Sequence, residues 1–136
     1  MKVDGGCVCG HITYEAVVDP AQVGLCNCID CQVFSGSAFR VGVPTPEADF
    51  NLKSGALKTY IKTAESGNKR AQVFCPDCGT HLYSTSIEDG PKIFRLRTGT
   101  MNQRNDLPPK TQGWNRSAQA WIPDIPSIPA AKRNRS

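Results

Sequence analysis

Cys75-Pro76-Asp77-Cys78-Gly79 follows a run of β-formers, Ala71 to Phe74, and its counterpart near the start of the chain is Cys7-Val8-Cys9-Gly10. Each is a cysteine pair closed by glycine, as in a zinc knuckle. There a tight turn aims backbone N–H groups at the thiolate sulfurs, and glycine takes the positive-φ position the turn demands. Two such half-sites make a tetrahedral four-thiolate site, which suits a closed structural zinc. A third group, Cys26-Asn27-Cys28-Ile29-Asp30-Cys31, has three cysteines and no closing glycine. Three protein ligands leave a tetrahedral metal one open position, which can hold water or substrate. The spacing therefore predicts a shut site on Cys7, Cys9, Cys75 and Cys78 and an open one on Cys26, Cys28 and Cys31, with two Zn2+ per chain. A rival pairing joins Cys75, Cys78 and His81 to one cysteine of the middle group, at the cost of stranding half of the first knuckle.

The rest of the composition narrows the classes. At 136 residues the chain fits one domain with a hydrophobic core of its own. Seven cysteines cannot all close into intramolecular disulfides, and close cysteine spacings in a reducing compartment point to metal. Met1 to Gly10 lacks the apolar stretch of a secretory signal, and no run approaches the ~18 apolar residues of a membrane span. A cytoplasmic location with no membrane partner is expected. The net charge of +4 is concentrated at one end: Lys132, Arg133 and Arg135 lie in the last five positions, and without them thirteen bases face twelve acids. Residues 126–136 are read as a basic, disordered tail.

Ile12 to Val17, Phe39 to Val43, Leu57 to Ile61, Ala71 to Phe74 and Ile93 to Arg97 are short, rich in β-formers and mostly bounded by turn residues such as Asp19-Pro20, Ser66-Gly67-Asn68 and Asp89-Gly90-Pro91. No long 3.6-residue period appears. The pattern predicts an all-β fold of small antiparallel sheets with little helix. In Ile93-Phe94-Arg95-Leu96-Arg97 the alternation puts Arg95 and Arg97 on one face. After Pro108 the chain is expected to wrap the surface as loop, with one short strand near Ser117 to Trp121.

Three linked motifs carry a family resemblance. Gly6-Cys7-Val8-Cys9-Gly10 is followed by Tyr14-Glu15. Cys26-Asn27-Cys28-Ile29-Asp30-Cys31-Gln32 runs into Ser35-Gly36-Ser37-Ala38-Phe39, and Phe74-Cys75-Pro76-Asp77-Cys78-Gly79-Thr80-His81-Leu82-Tyr83 is the third. Their order and separation resemble the glutathione-dependent formaldehyde-activating enzyme family over residues 3–125. The resemblance implies an Mss4-like β-tent fold, a structural zinc on four cysteines and a second zinc on three near the substrate. The implied activity is that of a carbon–sulfur lyase, and the implied partners are a glutathione-like thiol and an aldehyde. Two positions depart from the pattern: Asn27 and Gln112 stand where relatives often carry histidine.

On this reading Cys26, Cys28 and Cys31 act in catalysis through the bound zinc, capturing a thiol as thiolate. Three thiolates on a dication leave the unit at a net negative charge, so capture of a thiol suits it better than polarising a carbonyl. Asn27, Ser35, Gly36, Ser37 and Arg40 are the candidate substrate-binding residues, with Arg95 and Arg97 as further candidates for gripping carboxylates. The bland alternatives are turn residues at Ser35 and Ser37, a solvated strand face at Arg95 and Arg97, strand or supporting roles for His11 and His81, and core or edge packing for Trp114 and Trp121. The alternative function is a non-catalytic, zinc-stabilised β module that binds a partner. An accessible second metal with a pocket beside it favours the enzyme; a fully enclosed metal or a large apolar patch favours the module.

Nucleic acid is excluded as a partner by the near-neutral body and the lack of interleaved aromatic and basic residues. Neither duplex nor single strands should bind at physiological salt. Micromolar, salt-sensitive binding that survives deletion of residues 132–136, measured by fluorescence anisotropy, would contradict this.

Overall fold

In the second strand, Thr13–Val17, Tyr14 and Ala16 turn inward while Thr13, Glu15 and Val17 stay exposed. This two-residue period, repeated along the chain, builds two sheets in the computed structural model, which describes residues 1–64 and 66–133. The strands are β1 (Lys2–Gly6), β2 (Thr13–Val17), β3 (Gly24–Cys26), β4 (Arg40–Pro46) and β5 (Phe50–Ser54), then β6 (Lys58–Thr63), β7 (Lys69–Phe74), β8 (His81–Ser86), β9 (Ile93–Arg97) and β10 (Thr111–Gly113). A single α-helix, α1 (Ile29–Ser35), lies between β3 and β4. The smaller sheet has the order β1-β2-β5, and the larger runs β10-β3-β4-β9-β8-β7-β6.

An aromatic cluster joins the sheets. Phe50 of the small sheet stacks on Tyr14 at 5.2 Å and meets Tyr83 and Phe94 of the large sheet edge-on, each at 5.5 Å. Tyr83 and Phe94 stack on each other at 4.1 Å. Val3, Ile12, Leu82, Leu96 and Met101 complete the core around them. Such aromatic pairs add about 0.5–1.5 kcal/mol each beyond the area they bury. Tyr83 and Leu96 are paired across β8 and β9, and so are the next residues, Ser84 and Arg95. Because neighbours along a strand face opposite ways, Ser84 and Arg95 belong to the outer face of the large sheet. That face carries the candidate site.

The all-β expectation holds, with three differences of detail. The large sheet is not wholly antiparallel: β10 pairs parallel with β3, Thr111 against Gly24 and Gly113 against Cys26. The strand expected near Ser117 to Trp121 is absent. Asn115–Ser117 and Ile122–Ser127 form 3-10 turns instead, and the Ser117 carbonyl that a ladder would use accepts from Gln32 Nε2 at 3.0 Å. The helix α1 was also not anticipated, because its N-cap is a cysteine. Of the expected tail, Pro126 and Ser127 belong to the last 3-10 turn, and residues 134–136 lie outside the described residues. Among the described residues no helix is long and apolar enough to cross a membrane.

Candidate metal centres

The first knuckle lies in the turn between β1 and β2, and the last in the turn between β7 and β8. Gly10 and Gly79 adopt φ of 82° and 77°, the left-handed conformation expected of glycines that close such turns. Each turn is held by its own backbone: Gly10 N–H donates to the Cys7 carbonyl and Gly79 N–H to the Cys75 carbonyl. The Ile12 N–H reaches the Cys7 sulfur at 3.1 Å. The sulfurs of Cys7, Cys9, Cys75 and Cys78 lie within 4.8 Å of one another. Cys7 and Cys9 sulfurs are 3.6 Å apart, and Cys9 and Cys75 3.8 Å. A tetrahedral zinc with sulfurs at about 2.3 Å requires separations of about 3.8 Å, so the set fits the ion. The protonation pattern also fits. The Thr80 hydroxyl and N–H pull Cys78 down to about 5. At Cys9 the His11 N–H favours the thiolate, but desolvation and the sulfurs of Cys7, Cys78 and Cys75 outweigh it and push the thiol up to about 12. Four thiols this close cannot all ionise by themselves; a dication removes that conflict.

The second set sits where β3 ends and α1 begins. Cys28 is the helix N-cap: its sulfur accepts the Cys31 N–H at 3.3 Å. The sulfurs of Cys26, Cys28 and Cys31 again fall within 4.8 Å of each other. Arg40 faces Cys26 across the β3–β4 pair, and its Nε donates to the Cys31 sulfur at 3.1 Å. The same guanidinium donates through Nη1 to Gln72 Oε1 and to His81 Nδ1, at 3.1 and 3.2 Å, and lies over the Phe34 ring at 5.0 Å. A guanidinium only donates, so His81 Nδ1 must be bare and the ring neutral. Burial, then the charges of Arg97 and Arg40, push His81 down to about 3. Its Nδ1 is engaged by Arg40 and the cysteines divide four and three, so the rival pairing through His81 is not adopted.

Beside the three thiols opens a pocket of about 480 Å³ on the outer face of the large sheet. It is lined by Cys26, Cys28 and Cys31 and by alternate residues of the strands: Arg40 and Gly42 from β4, Arg95 and Arg97 from β9, Ser84 from β8, Arg70 and Gln72 from β7. Trp114 stands at the edge beyond β10 in a left-handed conformation, φ 53°, unusual for a residue with a side chain.

The sequence model of the glutathione-dependent formaldehyde-activating enzyme family matches residues 2–117. The chain belongs to that family. An uncharacterized lyase of Schizosaccharomyces pombe is 26% identical over 82 residues, which is 60% of this chain and 56% of the relative. The match thus spans little more than half of that relative's length. A crystal structure of a Rhodobacter sphaeroides protein, a structural genomics target, aligns with a TM-score of 0.61 at 17% identity, covering 80% of this chain and 98% of that one. That likeness shows the fold alone.

The formaldehyde-activating family pattern, laid on this structure, brings some expected residues together and separates others. Arg40, Arg95 and Arg97 line the pocket. Asn27 does not: it is buried at 1% exposure, and its Nδ2 donates to the Gly113 carbonyl at 3.2 Å, so it ties β10 to the sheet. Ser35, Gly36 and Ser37 end α1. Gly36 is the left-handed C-cap, the Ser35 hydroxyl bridges the Gln32 carbonyl and the Ser37 N–H, and none of the three lines the pocket. Gln112, on β10, is exposed and opposite Leu25. Trp114 and Trp121 are 56% and 47% exposed, not core, because the segment after Pro108 runs over the surface. A solvated face describes Arg95 but not Arg97, which is buried with Nη2 on Ser84 Oγ at 2.9 Å. Arg70, Gln72 and Ser84 were not anticipated. The alternation of β7 and β8 hinted at them, but only the pairing of distant strands puts them beside Cys31.

Two outcomes follow for measurement. Structural zinc sites supply about 10–16 kcal/mol of apparent binding energy coupled to folding, so Cys75→Ser should be insoluble or lack a cooperative melt by circular dichroism. A soluble variant with an unchanged melt would remove the metal from this site. His81 should remain neutral, by its NMR ring nitrogen shifts, from pH 8 to pH 5. Because its folded pKa lies below the unfolded value of about 6.5, its contribution to stability is complete above that value and is lost as pH falls through it towards 3. A His81 midpoint above pH 6 would refute the Arg40 contact.

Proposed function

We propose that this chain is a zinc-dependent enzyme of the carbon–sulfur lyase type, acting on a thiol–aldehyde adduct such as S-(hydroxymethyl)glutathione. The observation that carries the reading is that Cys26, Cys28 and Cys31 all border one guanidinium-lined pocket large enough for a small molecule, whereas of the other four cysteines Cys7 alone lines the cavity of about 410 Å³ beside the first knuckle. Family membership and the lyase name of the fission-yeast relative support it. The pocket also weighs against the binding module, which has no use for an accessible three-thiolate centre.

The reaction itself is simple. The C–S bond of the adduct breaks, its electron pair stays on sulfur, and the hydroxyl gives its proton to solvent water as the C=O bond of the aldehyde forms; addition runs the other way. Cys26, Cys28 and Cys31 would hold a zinc, which would supply a Lewis acid able to keep a substrate thiol deprotonated. Arg40 sets the charge of this centre by donating to the Cys31 sulfur, and Gln72 and His81 fix the guanidinium in that role. Cys7, Cys9, Cys75 and Cys78 hold a separate, structural zinc. Glutathione and formaldehyde are the partners that the family name offers.

The test separates the two centres. Cys28→Ser removes a zinc ligand yet keeps a good N-cap for α1, since a serine hydroxyl accepts the same helix N–H. The variant should melt within about 4 °C of the parent, a shift worth about 1 kcal/mol. It should lose the first-chelated zinc and abolish acceleration of glutathione–formaldehyde exchange, followed by NMR. If the parent with two zinc ions leaves the exchange rates of thiol–aldehyde adducts unaltered, the enzyme reading is wrong. If Cys28→Ser unfolds the chain, the second zinc is structural.

A further inference from the structure

The pocket beside the second cysteine set carries an uncompensated charge. Its lining contains Arg40, Arg70, Arg95, Arg97 and Lys62 but one carboxylate among the described residues, Asp30. Asp30 is already spent on Lys62, at 3.5 Å. The other ion pairs of the described residues, His11–Asp77 and Lys53–Glu15, are elsewhere. None of the four guanidiniums therefore has an acidic partner there. Three thiolates on a dication contribute a net negative charge, and Arg40 is turned to that centre through Cys31. Arg70, Arg95 and Arg97 are left.

These three are arranged, not scattered. Arg95 and Arg97 are alternate residues of β9 and share a face, and Gly42 lies opposite Arg97 on β4. A Cβ at Gly42 would come within 2.9 Å of Arg95 Cγ and 3.0 Å of Arg97 Nη1. Glycine at that position leaves the two guanidiniums room above the sheet. Arg97 is only 8% exposed; Nη2 is bonded to Ser84, yet Nε has no partner. A buried, unpaired donor of a charged group costs stability unless a ligand completes it. The cations also repel one another: burial first, then Arg40, lowers the Arg97 pKa to about 9, and desolvation followed by Arg95 and Arg40 lowers that of Arg70. Negative charge from outside the chain relieves all of this.

We infer that the pocket selects a thiol bearing two or more anionic charges and no ammonium group, with Arg70, Arg95 and Arg97 as the residues that set this specificity. The inference deepens the enzyme reading and rests on its assignment of the second cysteine set as the place where a thiol sulfur is held. Glutathione matches it incompletely. Its two carboxylates suit the arginines, but its ammonium meets no free carboxylate in the lining. A phosphorylated thiol or a dicarboxylate thiol presents the same dianionic chemistry without that mismatch, and bidentate guanidinium contacts serve both.

Calorimetric titration of the zinc-loaded protein distinguishes the sources. The probes are 4′-phosphopantetheine against pantetheine, which differ by the phosphate, and mercaptosuccinate against 2-mercaptoethanol and glutathione. At least one dianionic thiol should bind about tenfold or more tightly than glutathione and its uncharged counterpart, the gain expected of one charge-assisted contact. Preference for the phosphate or for the dicarboxylate names the source. Arg95→Gln, at an exposed position, should cut the preference about tenfold without changing binding of 2-mercaptoethanol; Arg97→Gln should do the same if it folds. Equal binding of charged and uncharged thiols, tighter binding of glutathione, or an unchanged preference in Arg95→Gln would overturn the inference, even if the glutathione adduct is turned over. Charge-ranked binding without turnover of any adduct would support the inference and sink the lyase activity instead.

Discussion

Four sulfurs from two turns, one in each sheet, converge within 4.8 Å of one another. Cys7 and Cys9 belong to the turn that joins β1 and β2 in the small sheet, and Cys75 and Cys78 to the turn that joins β7 and β8 in the large one. The aromatic cluster around Phe50 lies between the same sheets. A hydrophobic contact of this kind is strong but not directional. A metal held by the four convergent sulfurs would be directional, because tetrahedral coordination tolerates one arrangement of the two turns. Its removal would free the ends that fix how the large sheet lies on its partner.

The large sheet is divided by the pleat. One face carries Tyr83, Phe94 and Leu96 into the core; the other carries Arg70, Gln72, Ser84, Arg95 and Arg97 to the pocket. The same alternation that closes the core thus concentrates guanidiniums beside the second cysteine set. Like charges at this separation disfavour the folded state unless something negative joins them. Negative charge brought to the three-cysteine set by a metal or a ligand would offset part of that, and Arg40 faces the set by donating to the Cys31 sulfur.

The two centres differ in how they are anchored. The four-cysteine set draws on two turns closed by glycines and far apart in sequence. The three-cysteine set comes from one short stretch at the end of β3 and the start of α1, beside the parallel strand β10 that Asn27 pins through Gly113. Gln32 of α1 holds the segment beyond β10 through the Ser117 carbonyl and Gln119. Trp114 is thereby kept at the edge of the pocket.

Local chemistry was legible in the residues themselves. Paired cysteines closed by Gly10 and Gly79 announced positive-φ turns, their spacing divided seven thiols into four and three, and alternating β-formers announced strands. These are properties of neighbouring residues, and neighbours in sequence are enough to reveal them. Asn27 shows the limit: adjacency to two ligands suggested a part in the pocket, but its side chain is buried and its amide points to Gly113. Arg97 shows it too, buried where a solvated strand face was the plain alternative. The sequence determined which groups could bind metal and which segments could pair. Only the tertiary structure decided that β4, β9, β8 and β7 follow one another in the sheet, bringing Arg70 to the face that alternation gives Arg95 and Arg97, because strand order joins residues far apart in the chain and no local pattern encodes it.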